Sequence, residues 1–164
     1  MDASSGVTNE IYNSEKIFVK ELGRYFNINP AGPRGSVVQY ASTPRTLVDF
    51  ADPAFIGKIE DSLPIGSPRR IDRALGHAAN LLQNQTGGKI VILLAAGKQS
   101  PGAKPLTEAV QLLRSLNAAT YVVAIGNGLN NGSLLSVVEQ PRGLYTVPYG
   151  DLKRRTRSIA LSGK

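Results

Sequence analysis

The chain predicts an α/β fold: a doubly wound, mostly parallel sheet with helices on both faces and one antiparallel edge strand. Three observations predict it. Segments with helical spacing of apolar residues alternate with short strand-like segments along the whole chain. Lys89 to Ala95 and Thr120 to Ile125 are almost continuously apolar, the pattern of parallel strands covered on both faces. No linker, repeat or low-complexity tract interrupts the order, and 164 residues suffice for one core, so residues 1–164 read as a single domain.

The elements follow in order. Between Asn9 and Phe26, Ile11, Tyr12, Ile17, Phe18, Leu22, Tyr25 and Phe26 fall on one helical face. Pro30 and Pro33 with Gly32 make the next stretch a loop. Ser36 to Ala41 and Arg45 to Phe50 read as two strands joined by Ser42-Thr43-Pro44, close enough for an antiparallel hairpin. Asp52-Pro53 reads as the N-cap and first position of a short helix reaching about Ser62. A helix from Pro68 carries Ile71, Ala74, Leu75, Ala78, Leu81 and Leu82, and Gly87-Gly88 ends that unit. The strand Lys89–Ala95, a helix from Pro105 to Leu116, the strand Thr120–Ile125 and a short helix from Ser133 to Val138 come next. A strand from Leu144 to Val147 precedes a final basic helix capped by Asp151.

Composition removes several function classes. Without cysteine there is no disulfide, no thiolate chemistry and no cysteine-based zinc site. No apolar run approaches the ~18–20 residues of a membrane span. Met1 is followed at once by polar residues, so no signal peptide stands at the front; a secreted precursor could have lost one, or the chain could be a piece of a longer one. The net charge of +7 is partly clustered, with Arg69, Arg70 and Arg73 in one group and Lys153, Arg154, Arg155 and Arg157 in another. Such groups attract polyanions, whether nucleic acid, sulfated glycans, acidic proteins or anionic lipid, or else form solvated helix faces. Aromatic residues are few and not interleaved with the basic ones, so no nucleic-acid partner is expected.

The order of elements and several of the loops resemble the von Willebrand factor type A domain. Asp2-Ala3-Ser4-Ser5-Gly6 is similar to that family's first metal loop, Asp-x-Ser-x-Ser. Val37 to Ala41 is similar to its second strand, and Arg70 to Leu75 to the helix after its threonine loop. Lys89 to Gly97 resembles the strand that ends in Thr-Asp-Gly, and Tyr121–Gly126 and Leu144–Val147 resemble the last two strands. The likeness spans nearly the whole chain and is nearest the extracellular-matrix branch, the A domains of matrilins and non-fibrillar collagens.

The resemblance implies a central first strand ahead of the metal loop, and that strand is missing here, since Met1 directly precedes Asp2. Three explanations stand: a trimmed or mis-started chain, a strand supplied by another chain or segment, or the tail Ser158-Ile159-Ala160-Leu161 folding back as a substitute strand. The resemblance also implies a Mg²⁺ site at the C-terminal edge of the sheet, built from the first loop's Asp and two Ser, a Thr and a second Asp. Asp2 and Ser4 match. Gly6 stands at the second serine, Arg69 on or near the threonine, and Ala96 at the second aspartate. A guanidinium cannot ligate a cation, and Mg²⁺ sheds its waters reluctantly, so no metal or other cofactor is expected. Arg69 is expected either to take the metal's place, paired with Asp2 and offering donors to an acidic group, or to be solvated at a decayed site.

The remaining motifs carry less. Asn84-Gln85-Thr86 and Asn131-Gly132-Ser133 are glycosylation sequons in predicted loops. Gly126-Asn127-Gly128 lacks the third glycine of a nucleotide fingerprint and reads as a turn. His77, the only histidine, lies off the apolar stripe of its helix and is expected to be solvated, and no nucleophile–base pair or carboxylate pair forms around it. A catalytic role is therefore not expected. The function expected is a secreted adhesion or matrix-scaffold module that recognises a collagen-like protein or a sulfated glycan without metal. The alternatives are a structural module in a tandem array or homo-oligomer, and an intracellular scaffold domain.

Overall fold

The structure is a computed structural model, and it describes residues 1–29, 31–50, 52–126 and 132–162. Its elements are α1 (Asn9–Tyr25), β1 (Val37–Gln39), β2 (Arg45–Val48), α2 (Phe55–Glu60), α3 (Ile71–Leu82), β3 (Lys89–Ala95), α4 (Thr107–Ser115), β4 (Ala118–Ile125), α5 (Gly132–Leu135), a 3₁₀ turn (Pro141–Gly143), β5 (Leu144–Val147) and α6 (Leu152–Ser162). The Thr8 hydroxyl caps α1 by accepting from Ile11 N. Helices α1 and α4 are each followed by an asparagine in the left-handed region, Asn27 at φ 51° and Asn117 at φ 53°. Asparagine tolerates that turn better than other side-chain-bearing residues, which is why the helices stop there.

The predicted α/β architecture is present. β3, β4 and β5 form a parallel sheet, with Lys89 opposite Ala118 and Val122 opposite Leu144. β1 and β2 form the predicted antiparallel pair. Along β3 and β4 successive side chains go to opposite faces. Leu93, Ala95, Val122 and Ala124 join Ile71, Leu75, Val110 and Leu113 of α3 and α4 in one core. Leu94, Ala96, Val123 and Ile125 join Tyr12, Phe18 and Leu22 of α1 and Leu152 and Ile159 of α6 in the other.

The two sheets are not joined to each other by a full ladder. At the top, Asp2 forms an isolated parallel bridge with Tyr40, and side chains reach across to the end of β3, where Asp2 accepts from Ala96 N and the Tyr40 hydroxyl donates to Leu94 O. Below it lies a cavity of about 580 Å³ lined by β1, β3, α1 and α3. The expectation that β3 is buried on both faces therefore holds only in part. Leu93, Leu94 and Ala95 are buried, whereas Val91 and Ile92 are half-buried and Ile90 is 47 % exposed, because the cavity leaves the lower half of the strand uncovered.

Other differences are local. The Asp52 carboxylate accepts from Ala54 N and pairs with Lys58, making a turn, so α2 starts at Phe55 and not at Pro53. α3 starts at Ile71 because Arg70 is still extended, with φ −118° and ψ 78°. The tail Ser158 to Leu161 is not a substitute strand. It lies within α6, where Thr156 and Ile159 are buried and Ile159 packs into the α1 core, so the helix's own apolar face holds it away from the slot.

Candidate functional site

At the C-terminal edge of the strands, the chain's first residues meet three loops. Asp2 is fully buried and both of its carboxylate oxygens are engaged. Oδ1 accepts from Ser4 N at 3.1 Å and Ser4 Oγ at 2.7 Å; Oδ2 accepts from Ala96 N at 3.0 Å. Arg69 Nε also donates to Oδ2, at 2.5 Å. The predicted pairing of Arg69 with Asp2 is thus present, and Arg69 is buried, not solvated: its side chain is only 10 % exposed.

The rest of Arg69 is tied down as firmly. Its Nη1 donates to Lys98 O at 3.1 Å, its backbone N donates to Ser100 Oγ at 2.8 Å, and Ser100 N donates back to Arg69 O at 2.9 Å. Nη2 is buried and makes no hydrogen bond. Two glycines make room for the guanidinium. A Cβ at Gly97 would press into Nη1 and lie 2.8 Å from Cζ, and one at Gly6 would lie 3.1 Å from Nη2. Gly97→Ala is therefore expected to cost about 1–3 kcal/mol by overpacking a side chain that its ion pair holds in place. Equilibrium urea unfolding checks this, with Gly88→Ala as control, because Gly88 lies outside the helices, has no positive φ and its Cβ would meet nothing within 4 Å.

A divalent ion does not fit these residues. Ser4 Oγ donates to Asp2, the Asp2 carboxylate is fully occupied, and a cationic guanidinium fills the space between Gly6 and Gly97. Ala96 offers only its backbone N–H to Asp2, a donor where a cation needs an oxygen. Among the described residues no group of three or more His, Asp or Glu could hold a metal ion.

Below the site lies a residue that the sequence reading passed over. Glu15, on α1, is fully buried; its Oε2 accepts from Asp2 N at 2.7 Å and its Oε1 has no partner. Burial raises its carboxyl to about 8, opposed by the nearby Met1 amine and reinforced by the Asp2 charge. The same burial lowers the Met1 amine. A signal was available: Tyr12, Glu15, Phe18 and Leu22 share one helical stripe, so Glu15 stands where an apolar residue belongs.

The first basic group does not act as a patch. Arg69 is inside, and Arg70 forms a bidentate pair with Asp72, Nε to Oδ1 at 2.9 Å and Nη2 to Oδ2 at 2.6 Å. That pair holds Asp72 below its usual range, and Arg73 alone of the three is exposed. In the second group Arg154 and Arg155 are exposed on α6; the side chains of Lys153 and Arg157 lie outside the described residues. Asn84 is exposed in the turn after α3, and Asn131, like Asn127-Gly128, lies outside the described residues. His77 is half-buried, with Nε2 2.8 Å from Thr46 Oγ1, so it is not fully solvated.

Comparison with known proteins agrees with the fold. The chain is 26 % identical over 164 residues to the collagen alpha-1(VI) chain of Gallus gallus, covering 92 % of this chain and 16 % of that one. It is 28 % identical over 158 residues to von Willebrand factor A domain-containing protein 2 of Xenopus laevis, covering 90 % of this chain and 20 % of that one. The chain thus spans no more than a fifth of these relatives. Among solved structures, proximal thread matrix protein 1 from the mussel byssus superposes with a TM-score of 0.86 at 23 % identity, over 98 % of this chain and 45 % of that one. Another structure of that protein, with a zinc-occupied MIDAS motif, gives a TM-score of 0.84 over 98 % of this chain and 45 % of that one, also at 23 % identity. Residues 1–153 match the family model of the von Willebrand factor type A domain, and this chain belongs to that family.

Proposed function

We propose that this domain is a non-catalytic adhesion or scaffold module of the extracellular matrix, working without a metal ion. The observation that carries the reading is the buried Asp2–Arg69 pair: a fixed protein cation stands among the loops where the family resemblance places a divalent one. The matrix setting is supported by the relatives, a collagen VI chain and a byssus matrix protein. The partner is a collagen-like protein or sulfated glycan that presents an acidic group to the edge. Arg69 Nη2, lodged against the exposed Gly6 turn, has donors to offer once that turn moves aside. Exposed Leu63 and Ile65 on the adjoining loop supply an apolar rim.

Calorimetry with Mg²⁺ and Mn²⁺ is expected to show no binding, and solid-phase binding to collagens or heparin is expected to be unchanged by EDTA. A micromolar metal site would overturn the metal-free reading. Arg69 also favours a second reading, since a side chain 10 % exposed serves a structural module with no edge ligand equally well. Failure to bind any collagen or heparin at low salt would select that second reading. Glycan occupancy at the exposed Asn84 would place the domain outside the cell.

A further inference from the structure

Charge is unevenly shared at the C-terminal edge of the sheet. The two carboxylates built into it, Asp2 and Asp72, are each taken up by an arginine, Arg69 and Arg70. Residues 62–71 and 73–107 contain no aspartate or glutamate at all. Arg73, Lys98 and Lys104 are exposed, and among the described residues no carboxylate comes within 4.0 Å of any of them. Arg73 thus has company at the surface, but from the loop after β3 and not from its neighbours in sequence.

That loop is fastened to the start of α3. Gln99 Oε1 accepts from Asp72 N at 2.8 Å, and Gln99 Nε2 donates to Lys104 O at 2.7 Å. Lys104 N donates to Asp72 Oδ2 at 3.2 Å. At the Lys98 end, the bonds of Arg69 to Lys98 O and Ser100 Oγ hold the backbone. On the other side of Asp72, Arg73 Nη1 donates to Ser42 O at 2.8 Å. The groups that join the three cations, Asp72, Gln99, Ser100 and Ser42, are all polar. A protein interface centres instead on apolar and aromatic contacts. A lone carboxylate is best held by a guanidinium fork, and the fork of Arg70 is already taken by Asp72. Separate cations on polar ground, two of them lysine point charges on flexible stems, suit a ligand whose own charges are spaced along a chain.

We propose that Arg73, Lys98 and Lys104 form the binding site for a sulfated glycan chain, whose sulfates bridge α3 and the loop after β3. The inference rests on the reading of this edge as a binding surface and names its ligand. It assigns polyanion binding to the edge and not to the exposed Arg154 and Arg155 of α6, where Arg154 already has Asp151 at 3.9 Å. Arg69, Arg70 and Gln99 are positioning residues: they fix the backbone that carries the three cations.

The test is calorimetry with a heparin octasaccharide at ~0.15 M salt, where distant charges are screened. It compares the unaltered domain with Arg73→Gln/Lys98→Gln/Lys104→Gln and with Arg142→Gln/Arg154→Gln/Arg155→Gln, which loses the same charge from exposed arginines elsewhere. The edge variant is expected to bind at least ~10-fold more weakly, the sum of three exposed ion pairs, and the other variant to stay within ~2-fold of the unaltered domain. A second measurement needs no variant: the bound octasaccharide is expected to protect the amines of Lys98 and Lys104 from acylation, but not that of the exposed Lys58 on α2. Equal losses in the two variants would make binding a matter of net charge and overturn the proposal, as would unprotected Lys98 and Lys104. Equal affinity for a desulfated octasaccharide, or for a DNA duplex of matching charge, would overturn the assignment of the ligand. Absence of heparin binding would overturn it too, and collagen separates that failure from failure of the edge reading. EDTA-insensitive collagen binding without heparin binding leaves the edge reading standing, whereas loss of both removes it as well.

Discussion

Arg69→Ala is expected to destabilise the domain by about 3–5 kcal/mol, the cost of leaving the buried Asp2 carboxylate without its cation. The carboxylate keeps its bonds from Ser4 and Ala96 N, but these are neutral donors in a fully buried place. The three loops that Arg69 ties together, through Asp2, Lys98 and Ser100, also lose their common partner. Asp2→Ala is expected to cost a comparable amount for the mirrored reason, since it strands a guanidinium. The double variant is expected to cost clearly less than the sum of the two, because removing both ions removes the penalty each leaves alone. Denaturant unfolding of the four proteins reads this coupling directly. Additive losses would show that the pair carries no mutual stabilisation and that Arg69 acts through packing alone.

Glu15→Gln is expected to change how stability depends on pH more than any other single substitution in the domain. In the folded state the carboxyl titrates at about 8, and in the unfolded chain near its ordinary value of 4.5. The folded protein therefore holds a proton that the unfolded one releases between those two pH values. Stability from this group is fully present below about pH 4.5 and is lost as pH rises through about 8. At about 1.4 kcal/mol per unit, the loss is of the order of several kcal/mol. The Met1 amine, lowered by burial, pulls the other way over its own range, while Tyr12 and Tyr40 are raised and titrate above this window. The glutamine amide keeps an acceptor for Asp2 N and carries no charge, so the variant lacks the decline. The unfolding free energies of the two proteins are expected to converge below about pH 4.5 and to favour the variant at about pH 9. Parallel pH curves would show that Glu15 stays ionised inside the fold.

Much of the fold was legible in the residues. The periods of the apolar runs placed every helix and strand within a few residues, because each period is a property of local geometry. They erred at Pro53 and Pro68, where a proline signals a turn as readily as a helix start; the carboxylate of Asp52 closes the turn in the first case and the extended Arg70 delays α3 in the second. They also placed Arg69, Arg70 and Arg73 in one basic group, which is only adjacency in sequence. Asp2 and Asp72, one of them 67 residues from its arginine, decide which of these charges reach solvent.

The edge site divides in the same way. The resemblance implied that Gly6, Arg69 and Ala96 stand on or near positions where that family has oxygen ligands, and the sequence supplied which side chains are there instead. Only the tertiary structure decided that Arg69 is buried and paired rather than solvated, that Gly6 and Gly97 accommodate its guanidinium, and that Glu15 lies beneath Asp2. The helical state of the tail was not legible in the sequence. Identity sets what a group can do chemically; burial and partners, which depend on distant segments meeting, set which of those things it does.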